Sequence, residues 1–170
     1  MYRFNFSDQS KPVKILFVCL GNICRSPAAE EVMATIVRDK GREADFELDS
    51  AGLYGGHAGD LPDPRMRAHA IRRGYKLTHR SRKVRPADFY DFDIIVAMDD
   101  ANFDNLRQMA PTLVEEAKVI KMASFLRLHN YADCIPDPYY DGAEGFENVL
   151  DLLEDACLGL YDAIKISNSC

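Results

Sequence analysis

Along this chain, short, compact, largely apolar runs alternate with segments whose apolar positions recur every three or four residues. Val13 to Cys19 (VKILFVC) is the first such run. Its β-branched content and lack of a polar face predict a parallel strand buried on both sides. Phe46 to Ser50, Asp93 to Met98 (DIIVAM) and Ala117 to Met122 (AKVIKM) predict three more strands. Helices are predicted from Ser26 to about Lys40, from Pro64 to Arg73, and from Asp99 to about Ala110. In the first, Ser26 suits the N-cap, Pro27 the first turn, and Glu30 and Glu31 the positive end; Gly41 is the stop, as Gly74 is for the second. From about Gly145 the residues Phe146, Val149, Leu150, Leu153, Cys157, Leu160 and Ile164 form one stripe of a long amphipathic helix ending near Lys165. Residues 51–64 and 135–142 are rich in Gly, Pro and Asp and read as loops. Strands alternating with helices imply parallel pairing through right-handed crossovers. The expectation is a single α/β domain, a three-layer α/β/α sandwich with a four-stranded parallel sheet over 13–165. Residues 1–12 and 166–170 are expected as short tails.

Composition narrows the function classes. Acidic residues outnumber basic ones 27 to 21 in 170 residues, a formal charge of −6, so a general nucleic-acid binder is not expected. The longest apolar run, Ile15 to Leu20, is far short of the roughly 18 residues a bilayer span needs, and residues 1–10 do not read as a secretory signal. A soluble, cytoplasmic protein is expected. Five cysteines, an odd number without a Cys-x-x-Cys pair, suggest neither a disulfide framework nor a zinc site, and no metal or cofactor is expected. Cys134, Cys157 and Cys170 are read as filler or tail.

The chemistry gathers after the first strand. In an open parallel sheet, ligands bind beyond the carboxyl ends of the strands, at the switch point. There the chain reads Cys19-Leu20-Gly21-Asn22-Ile23-Cys24-Arg25-Ser26-Pro27. Such a loop turns successive N–H groups inward as an anion cradle, and the following helix adds the positive end of its dipole. Gly21 and Asn22 are residue types that tolerate left-handed backbone. Arg25 offers a planar fork for two phosphoryl oxygens. The same positive surroundings favour the nucleophilic thiolate of Cys19, and a hydrogen bond from Ser26 Oγ would steady it. A Cys-x5-Arg-[Ser/Thr] spacing arises by chance roughly 0.025 times in a chain of this composition. The leaving oxygen also needs a proton, and Asp137, between Pro136 and Pro138, is the candidate acid and later base.

With these residues the chain resembles the low-molecular-weight protein tyrosine phosphatases. The likeness spans about Val13 to Lys165 and rests on VCLGNICRSP at 18–27, DSAG at 49–52, PDPR at 62–65, HRSR at 79–82, MDD at 98–100 and DPYY at 137–140. It implies a flavodoxin-like fold and metal-free hydrolysis of phosphotyrosine proteins and small aryl phosphates through a phosphocysteine on Cys19. Inorganic phosphate and other oxyanions would inhibit, and the state would be monomer or weak dimer. The resemblance further implies that Asn22 is left-handed and bonded by Ser50 and His79, that Asp99 supports the site, and that Tyr139 walls the substrate slot. It places Tyr54 and Tyr140 with Tyr139 in the substrate groove, and implies that either Tyr139 or Tyr140 is a phosphorylation site in some relatives. Cys24 would trap oxidised Cys19 as a reversible disulfide. Many members place a tryptophan after the second strand; this chain has none. The position is Gly56, with Tyr54 two residues before and His57 beside it, so the groove wall is unusual.

Two other activities use the same loop. Thioredoxin-coupled arsenate reductases need relay cysteines, and residues 99–110 contain none. Phosphoarginine phosphatases tend to carry threonine where this chain has Ile23, whose bulk favours phosphotyrosine. A catalytically dead phosphotyrosine-binding module is disfavoured because every chemical group is present.

Overall fold

Two strands flank β1 (Val13–Cys19) directly: β2 (Phe46–Gly52) on one side and β3 (Ile94–Ala97) on the other, with β4 (Val119–Lys121) beyond β3. In this computed structural model, which describes residues 2–168, all three pairings are parallel. Successive strand side chains point to opposite faces, and both faces are covered. Ile15, Phe17 and Cys19 enter the larger core, packed by α1 (Arg25–Asp39), α2 (Pro64–Ile71) and α6 (Ala143–Asn168). Leu16 and Val18 enter the smaller one with Phe89 of α3 (Asp88–Asp91) and Leu106 of α4 (Asp100–Met109). Each such side chain, fully buried, contributes about 1.5–3 kcal/mol. That explains why a seven-residue apolar strand becomes a rigid platform for the loop at its end. The sandwich and the four-stranded parallel sheet match the sequence expectation.

The chain departs from that expectation at several boundaries. Ala51 and Gly52 extend β2 into the expected loop, paired with Val18 and Cys19. α1 begins at Arg25 with Cys24 at the cap position and no side-chain cap, because the Ser26 hydroxyl is engaged inside the loop. No acidic residue lies in the first turn of α1; Glu30, one turn on, faces His79 instead. α2 stops at Ile71, two residues before the expected end. The short helices α3 and α5 (Leu113–Glu116) carry too few residues to show a period and were not anticipated. α6 runs on to Asn168, through part of the expected tail. Nor do residues 2–6 hang free: Tyr2 and Phe4 pack on Phe125, and Phe4 and Phe6 lie against the larger core. Cys170 lies outside the described residues. Among them, no helix is long and apolar enough to cross a membrane.

Candidate active site

The loop from Cys19 to Ser26 closes over the end of β1. Asn22 is its pivot and the one non-glycine residue among those described with positive φ, at 58°. Its buried side chain is fully engaged. Nδ2 donates to Ser26 Oγ at 2.8 Å and Ser50 Oγ at 3.1 Å, while Oδ1 accepts from His79 Nε2 and the Arg82 amide, both at 3.0 Å. The Arg82 amide can only donate, which fixes the orientation of the Asn22 carboxamide and makes His79 Nε2 a donor. Gly21, expected to share the left-handed backbone, does not. A Cβ there would sit 3.3 Å from His57 Cδ2, a tight approach that a shift of a few tenths of an ångström in that ring would relieve. Gly52 is tighter still: a Cβ would lie 2.9–3.0 Å from the backbone of Leu20, Gly21 and Asn22. The end of β2 is thus pressed against the loop.

Cys19 is buried at the floor, its Sγ 3.0 Å from Ser26 Oγ. Since Ser26 Oγ accepts from Asn22, its single hydrogen is free for the sulfur, or for the Ala51 carbonyl at 3.4 Å. Arg25 is 2% exposed and rigidly held. Its Nη1 donates to Asp99 Oδ2 at 2.6 Å and to the Ile135 carbonyl at 3.2 Å. Asp99 is itself oriented as the N-cap of α4, accepting from the Asn102 amide through its other oxygen at 2.7 Å. Burial opposes the charge on Arg25, but Cys19, Asp99 and Asp137 together hold its pKa above the ordinary value. Arg25 Nη2 lies 3.6 Å from Asp137 Oδ2, so candidate clamp and candidate acid face one another.

A cleft of about 240 Å³ joins Cys19, the loop, Arg25 and Asp137 to Tyr54, His57, Tyr139 and Tyr140. All three expected groove tyrosines line it. A side chain on Gly56 would collide with Tyr54, Oη and a Cβ lying 2.1 Å apart, so the bare glycine lets Tyr54 swing over it. Tyr54 forms this side of the cleft, edge-on to His57 at 6.0 Å. Cys24 shares the cleft, and burial first, then Asp63, pushes its thiol far up, so it rests protonated.

Behind Asn22, His79 Nδ1 lies 3.4 Å from Glu30 Oε1 and 3.5 Å from Asp49 Oδ1. Burial and Asp49 push Glu30 up to about 8, while burial pulls His79 below its ordinary 6.5. Burial thus favours the neutral form of both groups. The raised carboxyl contributes stability that falls as pH rises from 4.5 to about 8; the lowered imidazole contributes stability that grows with pH up to 6.5. The two offset below that point, and the carboxyl acts alone above it. Stability should fall by about 1–2 kcal/mol between roughly pH 6.5 and 8, and Glu30→Gln should flatten that fall. Urea titrations across this range at fixed ionic strength check it; equal slopes in both proteins refute it.

Residues 14–169 match the family described as low molecular weight phosphotyrosine protein phosphatase. The chain belongs to that family. It is 41% identical over 153 residues to a low molecular weight protein-tyrosine-phosphatase of Streptomyces coelicolor, covering 89% of this chain and 93% of the relative. Among solved structures it is similar to a protein tyrosine phosphatase from Entamoeba histolytica (43% identity, TM-score 0.86, 88% of this chain and 95% of that one). It is also similar to a Drosophila arginine phosphatase (34% identity, TM-score 0.81, 88% and 95%). The phosphatase is accordingly a phosphoric monoester hydrolase.

Every site residue expected from sequence converges on this one end of the sheet. Several others were not read individually. Ser81 Oγ donates to the Gly21 carbonyl at 3.1 Å, and the Asp63 amide donates to the Ile23 carbonyl at 2.8 Å. Arg82 bridges Asp49 and the fully buried Asp88. Their only signal was membership in the HRSR and PDPR segments, since a serine or arginine in a loop has no periodicity to distinguish it.

Proposed function

We propose that this phosphatase hydrolyses phosphotyrosine in proteins, and small aryl phosphates, by two displacements at phosphorus. The Cys19 thiolate attacks the phosphoryl group held by the loop amides and Arg25. The S–P bond forms as the P–O bond breaks, and Asp137 gives its proton to the departing phenolic oxygen. A water then attacks the phosphocysteine while Asp137 takes a proton from it, releasing inorganic phosphate and restoring thiolate and acid. Arg25 and the inward amides offset the charge on the equatorial oxygens in both steps. The observation that carries this reading is the meeting of Cys19, Arg25 and Asp137 in one cleft, with the clamp 3.6 Å from the acid.

The aromatic walls suit a ring, and a shorter phosphoserine would not bring its phosphorus to the floor. Likeness to an arginine phosphatase keeps phosphoarginine as a competing substrate. Ile23 lines the cleft and narrows it with an apolar side chain, which favours the aryl ester. In competition, a phosphotyrosine peptide should show kcat/KM at least about tenfold above its phosphoarginine counterpart, the discrimination one apolar pocket contact supports. The reverse order would assign the enzyme to phosphoarginine. The arsenate reductase alternative lacks relay thiols in α4, and Cys157 is buried among apolar side chains. Peroxide would convert Cys19 to a sulfenic acid, which the Cys24 thiol would displace as water to give a disulfide. Cys19, Cys24, Cys134 and Cys157 are free thiols.

A further inference from the structure

We infer that Arg65 is a positioning residue for the acid, acting through Tyr139; the inference rests on Asp137 being the general acid. Residues 136–141 are anchored by the buried Pro138, and few polar contacts fix the orientation of the residues on either side of it. Their hydrogen bonds among the described residues stay inside the loop, from Tyr139 N to Asp137 Oδ1 at 3.1 Å and from Asp141 N to the Pro138 carbonyl at 2.9 Å. The first of these makes the Tyr139 backbone a brace for the Asp137 carboxylate. Among the described residues, the charged groups that reach the loop from outside are the Arg25 fork, 3.6 Å from Asp137, and a guanidinium against a ring.

That guanidinium belongs to Arg65, at the start of α2. Its Cζ lies 5.2 Å from the centroid of Tyr139 and 4.9 Å from that of Phe146, so it is wedged between the two rings. Phe146 is buried at the head of α6 and stacked on His69 at 5.5 Å, which makes it the fixed side of the wedge. Asp63 restrains the Arg65 side chain, which is otherwise 48% exposed, by gripping Nε at 3.1 Å and Nη2 at 2.9 Å. Asp63 in turn is tied through its amide to the Ile23 carbonyl of the phosphate-binding loop. A continuous linkage therefore runs from that loop through Asp63 and Arg65 to Tyr139 and on to Asp137. The planar fork suits this task because it pairs with a carboxylate at its edge while stacking through its face; an ammonium can do only the first.

Arg65→Lys keeps the charge beside Asp63 but loses the planar stack. It should slow kcat for phenyl phosphate, whose leaving group needs the proton, about fivefold, while p-nitrophenyl phosphate stays within about twofold. The inhibition constant of inorganic phosphate should not move. Arg65→Met should do the same more strongly, and neither should add to the effect of Tyr139→Leu. Equal slowing of both substrates, or effects additive with Tyr139→Leu, would overturn the proposal. Should Arg65→Met not fold, Arg65→Lys and its double variant with Tyr139→Leu decide the matter. Asp137→Ala run alongside separates the failures. If that variant shows leaving-group dependence and the Arg65 variants do not, only the positioning role falls; if it shows none, the acid assignment falls as well.

Discussion

Cys19→Ser should abolish turnover of p-nitrophenyl phosphate, with kcat down by about 10⁴-fold or more, while inorganic phosphate still binds. The expectation follows from what each part of the loop supplies. In the proposed mechanism, binding energy for the oxyanion comes from backbone amides, the N-terminus of α1 and the Arg25 fork, none of which a serine at the floor removes. Bond formation comes from the sulfur alone. A hydroxyl at that position, 3.0 Å from the Ser26 hydroxyl in the parent, has no base beside it to take its proton. The measurement pairs steady-state kinetics with calorimetric titration of phosphate. Near-normal hydrolysis would remove Cys19 from the chemistry, whereas loss of phosphate binding along with turnover would mean that the substitution had collapsed the loop.

Asp137→Ala should lower kcat for phenyl phosphate by about 10²–10⁴-fold and p-nitrophenyl phosphate by much less. A good leaving group departs as its anion and gains little from a proton, so the two substrates separate acid catalysis from binding. Asp137 is suited to such a test because its carboxylate is 43% exposed and its ion pair with Arg25 is long, at 3.6 Å. Removing it leaves Arg25 bonded to Asp99 and Ile135, so the clamp should stay in place and phosphate affinity should change little. A uniform loss across both substrates would argue that Asp137 shapes the site without moving a proton.

The strands were the easiest features to read in the chain, because a residue buried on both faces must be apolar whatever its neighbours. β1 was therefore bounded correctly by its apolar run alone. Helix ends were harder. Ser26 has the chemistry of an N-cap, yet its hydroxyl lies in the loop with Cys19 and Asn22, and the helix starts one residue earlier without a cap. A local rule failed because a tertiary partner competed for the same oxygen. Gly21 differs in a similar way: its residue type suggests left-handed backbone, whereas only Asn22 in the loop adopts it.

Cys19, Arg25 and the amides between them are neighbours in the chain, so their spacing alone is enough to suggest the proposed anion cradle with a sulfur at its base. Periodicity likewise settles the layered α/β frame that puts this cradle at a sheet end. Distance along the chain hides the rest. Asp99, 74 residues from Arg25, and His79, 57 from Asn22, become partners only when β3 and the 79–82 segment are drawn against β1 and its loop. The wall that Tyr54 forms over a bare Gly56, and the wedge of Arg65 between Tyr139 and Phe146, are likewise products of packing. Contacts of this kind depend on where whole elements come to rest, and no local pattern of residues encodes that position.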